Sequence, residues 1–233
     1  MTALPRDLTI VLVHGAWADG SSWHRVVLPL RRLDFKVTCA PLPLTSLPDD
    51  VAALARTLER VTGPAVLVAH AYGGAVIGAT RDDRVRTLVY VAALAPDKGE
   101  TVAKVFYRDE RHPDAPTLAP DQHGLIWMPE EGFHRAVAHQ ALPDQRSILA
   151  AAQRPIALEC IEEPVPTPEW KAHPTWFLVA EEDRMINPKT QRFMAQRMGA
   201  VTRSHAVDHS PMLSAPDLVI DVIREAARDA LSK

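Results

Sequence analysis

Only two cysteines, Cys39 and Cys160, occur in 233 residues. Two are too few for a disulfide framework, and no Cys/His cluster has zinc spacing. An excess of either charge is also missing: 26 Lys and Arg stand against 29 Asp and Glu, a formal charge of −3. That balance gives no basic footprint for nucleic acid and no polybasic face for a membrane. No apolar run approaches bilayer-spanning length, and the opening Met1 to Asp7 lacks the charged-then-apolar layout of a secretory leader. These absences predict a reduced cytoplasmic setting, no metal or organic cofactor, and a small-molecule partner. The 20 prolines are dispersed rather than gathered in a low-complexity tract. A chain of this length buries one sizeable core, as a monomer or a homodimer.

What is present alternates. Leu8 to Val13 is an apolar run of strand length, followed by a helix near Trp23 to Leu33 with serines at its start. A strand near Lys36 to Ala40 ends at Pro41-Leu42-Pro43, which forbids ladder pairing. From Leu47 to Val61, apolar residues at Val51, Leu54, Leu58 and Val61 repeat with helical spacing. Further strands follow at 65–68, 87–93 and 175–180, and a helix runs from Pro216 to Leu231. The pattern predicts an α/β fold, a mostly parallel sheet with helices on both faces, in one domain over 1–233. The middle stretch, roughly 96–174, does not alternate cleanly and reads as a small helical cap. Its aromatics, Phe106, Trp127, Phe133 and Trp170, are expected to fill the cap's own core more than to touch substrate.

Chemistry gathers where strands end. His14-Gly15-Ala16-Trp17 follows the first strand, and glycine there lets backbone N–H groups turn into a cavity. Ala69-His70-Ala71-Tyr72-Gly73 links a strand to a helix of small residues through a tight turn. The strand at Thr175 to Ala180 ends in Glu181-Glu182-Asp183, and Val207-Asp208-His209-Ser210-Pro211 precedes the last helix. A carboxylate, a histidine and a turn that presents a nucleophile are the parts of acyl transfer. One part is missing: the nucleophile position holds Ala71, whose methyl cannot attack a carbonyl.

These segments, with Leu88 to Ala93 and Ala180 to Ile186, resemble the α/β-hydrolase superfamily over most of the chain. The likeness is to small bacterial serine esterases of the pyrethroid-type carboxylesterase, methyl esterase and hydroxynitrile lyase branch. That resemblance implies an α/β-hydrolase fold and a catalytic order of nucleophile, acid, histidine, met here by Ala71, Asp183 and His209. It implies an oxyanion hole from the N–H groups of Ala16 and Tyr72, with Trp17 packing the acyl group. His70 is expected to brace the turn, and Glu181 and Glu182 to be solvated. Hydroxynitrile lyases use a lysine directly after the histidine, where this chain has Ser210. The expected function is carboxylic ester hydrolysis, with Ala71 marking an inactivated form. The alternative is a naturally serine-less protein, either a His209-dependent lyase or cyclase or a small-ligand-binding module.

Overall fold

The computed structural model describes residues 7–231, so Met1 to Arg6, most of the stretch inspected for a leader, lie outside the described residues. The strands are Thr9–Val13 (β1), Lys36–Ala40 (β2), Ala65–His70 (β3), Val85–Val91 (β4), Leu125–Ile126 (β5), Ile156–Ala157 (β6), Thr175–Ala180 (β7) and Val201–His205 (β8). Six of them form one sheet in the order β2-β1-β3-β4-β7-β8. Every neighbouring pair in it is parallel. The short β5 and β6 pair antiparallel in a separate ribbon.

The helices are His24–Arg32 (α1), Leu47–Leu58 (α2), Gly73–Ala79 (α3), Val102–Phe106 (α4), Glu130–Gly132 (α5), Pro143–Ala151 (α6), Glu159–Glu162 (α7), Pro188–Arg197 (α8), Pro211–Ser214 (α9) and Pro216–Asp229 (α10). Strand side chains alternate between two cores, as a pleat requires. Ile10, Leu12, Val66, Val68, Val89 and Val91 share one core with Val26 and Leu30 of α1 and Val219 and Ile223 of α10. Val11, Val13, Leu67, Ala69 and Tyr90 share the other with Leu54 of α2, Val76 of α3 and Met194 of α8. Both faces of the sheet are thus covered, which is why β1 and β3 read as unbroken apolar runs.

Several boundaries differ from the sequence expectation. The strand expected at 87–93 begins at Val85 and ends at Val91, because Ala92 turns out of the ladder with φ 44°. Helix α2 stops at Leu58, and its buried line runs through Leu47, Asp50, Leu54 and Leu58, with Val51 half-buried against the same core. Ser46 caps it by accepting the Asp49 N–H at 3.1 Å. Between β4 and β7 lie mostly short elements, the nine-residue α6 being the longest, with the β5–β6 ribbon among them. Phe106 lines the main cavity and Phe133 a smaller one, whereas Trp170 is buried near Gly78 and Trp127 is exposed.

A parallel sheet sends every strand's C-terminal end to one edge. The segments after β1, β3, β7 and β8 therefore meet there although they are up to about 190 residues apart in sequence.

Candidate active site

Ala71 lies at the junction of β3 and α3 with φ 47°, in the left-handed region that costs an L-residue roughly 1–2 kcal/mol. Packing holds it there. Its carbonyl accepts N–H groups from Gly74 at 3.1 Å and Leu94 at 2.9 Å. The chain turns this sharply because its neighbours are small. A Cβ on Gly15 would stand 2.9 Å from the Ala71 Cβ, and one on Gly74 only 2.3 Å from the Leu94 carbonyl oxygen. The loop after β1 thus presses directly against the turn after β3, as two adjacent strands allow. Trp17 in that loop is also left-handed, φ 57°, and its indole N–H donates to the Ile126 carbonyl at 2.9 Å.

Asp183 follows β7, and its carboxylate is fully taken up. Oδ1 accepts the N–H groups of Met185 at 2.7 Å and Ile186 at 2.9 Å. Oδ2 accepts from Gln191 Nε2 at 2.7 Å and from His209 Nδ1 at 2.7 Å. This bond sets the His209 tautomer and leaves Nε2 as the ring nitrogen free for chemistry. The other acids of the trio go elsewhere: Glu181 pairs with Arg192, and Glu182 accepts from Gln140.

His70 does more than brace its own turn. Its Nε2–H donates to the His209 carbonyl at 2.7 Å, and the two rings lie 4.7 Å apart. Burial, then the neighbouring His209, holds the His70 ring well below the usual histidine range, so it stays neutral. His14 is likewise lowered by burial; its Nε2 accepts the Leu42 N–H at 3.2 Å.

A cavity of about 240 Å³ opens over these groups, lined by Ala16, Trp17, Ala71, Tyr72, Phe106 and His209 among mostly aliphatic side chains. Ala71, Tyr72, Ala16, Trp17 and His209 therefore share one space, and Asp183 reaches it through His209. Among the described residues, neither the Ala16 nor the Tyr72 backbone N–H is bonded to a protein acceptor. No group of three or more His, Cys, Asp or Glu side chains able to hold a metal ion occurs among the described residues.

Three supporting residues escaped the sequence reading. Asp50, fully buried on α2, accepts the Tyr72 hydroxyl at 2.6 Å and the Leu44 N–H at 2.8 Å, and burial pushes its carboxyl pKa up. Its signal was a polar residue in line with Leu47, Leu54 and Leu58. Gln191, buried on α8, holds Asp183 while its Oε1 accepts the Ala180 N–H at 3.0 Å. Asp208 accepts the Gln140 N–H at 2.8 Å and so ties the histidine loop to the segment between β4 and β7.

Comparison with known proteins supplies the deciding observation, a match to the alpha/beta hydrolase family over residues 10–222. The chain belongs to the alpha/beta hydrolase family. It is 25% identical to Methylesterase 2 of Arabidopsis thaliana, over 95% of this chain and 96% of that protein. It is also 25% identical to the alpha/beta hydrolase nvfD of Aspergillus novofumigatus, over 95% and 97%. A solved pyrethroid hydrolase from Sphingobium faniae JZ-2 superimposes with a TM-score of 0.82, at 22% identity, covering 97% of this chain and 99% of that one. At that identity the likeness speaks for the shared fold. Among the described residues, no helix of this chain is long and apolar enough to cross a membrane.

Proposed function

We propose that this cleft is that of a carboxylic ester hydrolase in which residue 71 occupies the nucleophile position. Alanine there makes the present chain a form that binds an ester and turns it over only slowly. The observation that carries the reading is the His209–Asp183 hydrogen bond at 2.7 Å, beside a left-handed residue 71 lining the same cavity as His209. Nothing in ligand binding alone needs a histidine so oriented, or a backbone so strained at that turn.

With serine at 71, the hydroxyl attacks the ester carbonyl while His209 Nε2 takes its proton. Asp183 steadies the imidazolium, and the N–H groups of Ala16 and Tyr72 receive the oxyanion. His209 then protonates the leaving alcohol and activates the water that frees the acid. Trp17 packs the acyl group along the apolar wall. The relative named methylesterase favours an ester over a peptide, and the mostly aliphatic lining favours an apolar one.

Losing a triad serine removes about 10⁶ in turnover and leaves roughly 10³–10⁴ over water. Ala71→Ser is therefore expected to raise hydrolysis of an activated short-chain aryl ester by at least about 10³-fold. The measurement is steady-state release of the chromogenic alcohol from both forms, and a serine form no faster than the alanine form rejects the reading. A second reading, a small-ligand-binding module, draws support from the apolar lining of the 240 Å³ cavity. It gains if both forms are inert yet bind apolar esters.

A further inference from the structure

A small second chamber adjoins the main cavity. It holds about 30 Å³, and its lining includes Ser22, His70, Ala71, His209 and Ser210. Ala16, Trp17, Ala71 and His209 border both spaces, so the residues of the proposed reaction centre form the wall between them. A space of this size suits a single water, provided that two to four polar partners surround it.

Ser210 offers one partner. It is 3% exposed, and among the described residues its hydroxyl has no partner within the protein. Its backbone is fixed: the N–H donates to Asp208 Oδ1 at 3.1 Å, and the carbonyl accepts the Leu213 N–H at 2.9 Å. Ser210 and His209 line the same small chamber. His209 offers the second partner through Nε2, since Asp183 occupies Nδ1. In any acyl-enzyme cycle, the hydrolytic water must be deprotonated by the same histidine, from the side where the alcohol departed. A water site next to that histidine does not depend on the serine.

We propose that the chain with Ala71 hydrolyses esters of apolar acids by direct attack of a water held in this chamber, with His209 as general base and Ser210 orienting the water. The proposal rests on the reading of the cleft as an ester site. His209 Nε2 takes one proton from the water, and the water oxygen forms a bond to the carbonyl carbon. The carbonyl π pair moves to its oxygen and is received by the Ala16 and Tyr72 N–H groups. When the adduct collapses, the bond to the alkoxy oxygen breaks, and that oxygen takes the proton from His209. One ester and one water give one acid and one alcohol, and no bond to residue 71 ever forms. Alanine is smaller than serine at the shared wall, which widens the passage from chamber to carbonyl.

The test measures p-nitrophenyl ester hydrolysis by the unmodified chain and by His209→Ala, Ser210→Ala and Ala71→Ser. His209→Ala is expected to cut the slow hydrolysis of the Ala71 chain by about 100-fold or more. Ser210→Ala is expected to lower kcat by about tenfold with little change in KM, the effect of one lost hydrogen bond in the transition state. Because His209→Ala removes a buried partner of Asp183, the unmodified chain is also assayed in deuterium oxide. A slower rate there supports the transfer of a water proton in the rate-limiting step, and an equal rate overturns the proposal. A folded His209→Ala chain that keeps the residual rate overturns it too. If Ala71→Ser is active under those circumstances, the ester-site reading stands and only direct water attack fails. If both residue-71 forms are inert, the ester-site reading fails and takes this proposal with it.

Discussion

Asp183 and Ala71 belong to one cleft, yet the chain holds the first through its side chain and the second against its backbone preference. Asp183 receives four N–H groups, two from its own loop, one from Gln191 and one from His209. Its position is over-determined by hydrogen bonds that fix where the carboxylate points. Ala71 is held against its backbone preference, at φ 47°, by two N–H groups on its carbonyl and by close contact with glycine-bearing loops. The first arrangement is stabilising in itself. The second costs stability and returns nothing that an alanine side chain uses. On the proposed reading, that strain belongs to a turn built to present a hydroxyl that alanine lacks.

Removing the acid side of this contrast has the largest expected effect. In the Ala71→Ser background, Asp183→Asn should lower kcat by about 10⁴, because the Met185 and Ile186 N–H groups hold the Asn oxygen and its NH2 then donates to His209 Nδ1, favouring the wrong tautomer. KM should change little, and a fall of less than about tenfold breaks the assignment of Asp183 to the reaction. The elbow side should respond with the opposite sign. Ala71→Gly removes the left-handed penalty while deleting one methyl, so a gain of up to about 1 kcal/mol is expected from urea denaturation. A clear loss of stability there removes the claim that residue 71 is strained.

The strands that build the site were legible because their residues are buried on both faces. Thr9–Val13, Ala65–His70 and Thr175–Ala180 are apolar runs for that reason. The strand β8 was not legible, since it lies at the sheet edge and its residues VTRSH are largely exposed. Helix α8 was missed with it, having only Phe193 and Met194 among its strongly apolar residues. Gln191 therefore stayed hidden, although it fixes the carboxylate that chain order had pointed to. His209 and Asp183 were nameable from the order of loops after strands, but their 2.7 Å contact depends on β7 and β8 being neighbours. Between β4 and β7 the elements are mostly two to five residues long, too short for any periodicity to appear.

A finer probe of the same contrast is pH, acting through His70 beside the strained turn. Burial holds its ring well below the ordinary histidine value, and the proton it does carry, on Nε2, is donated to the His209 carbonyl. Above about pH 6.5 neither the folded nor the unfolded chain binds an extra proton at this residue, so its contribution to stability is complete. As pH falls below that value, the unfolded chain takes up a proton that the folded chain refuses, and stability is lost. His14, also lowered by burial, acts in the same direction. Urea midpoints of the native chain should therefore fall between about pH 7.5 and about pH 5.5, and those of His70→Gln should fall less steeply. Gln keeps a donor near the His209 carbonyl, so the two chains differ mainly in the titrating group. Parallel pH profiles would mean that His70 is protonated in the folded chain. The turn beside Ala71 would then be braced by a charge rather than by a neutral ring.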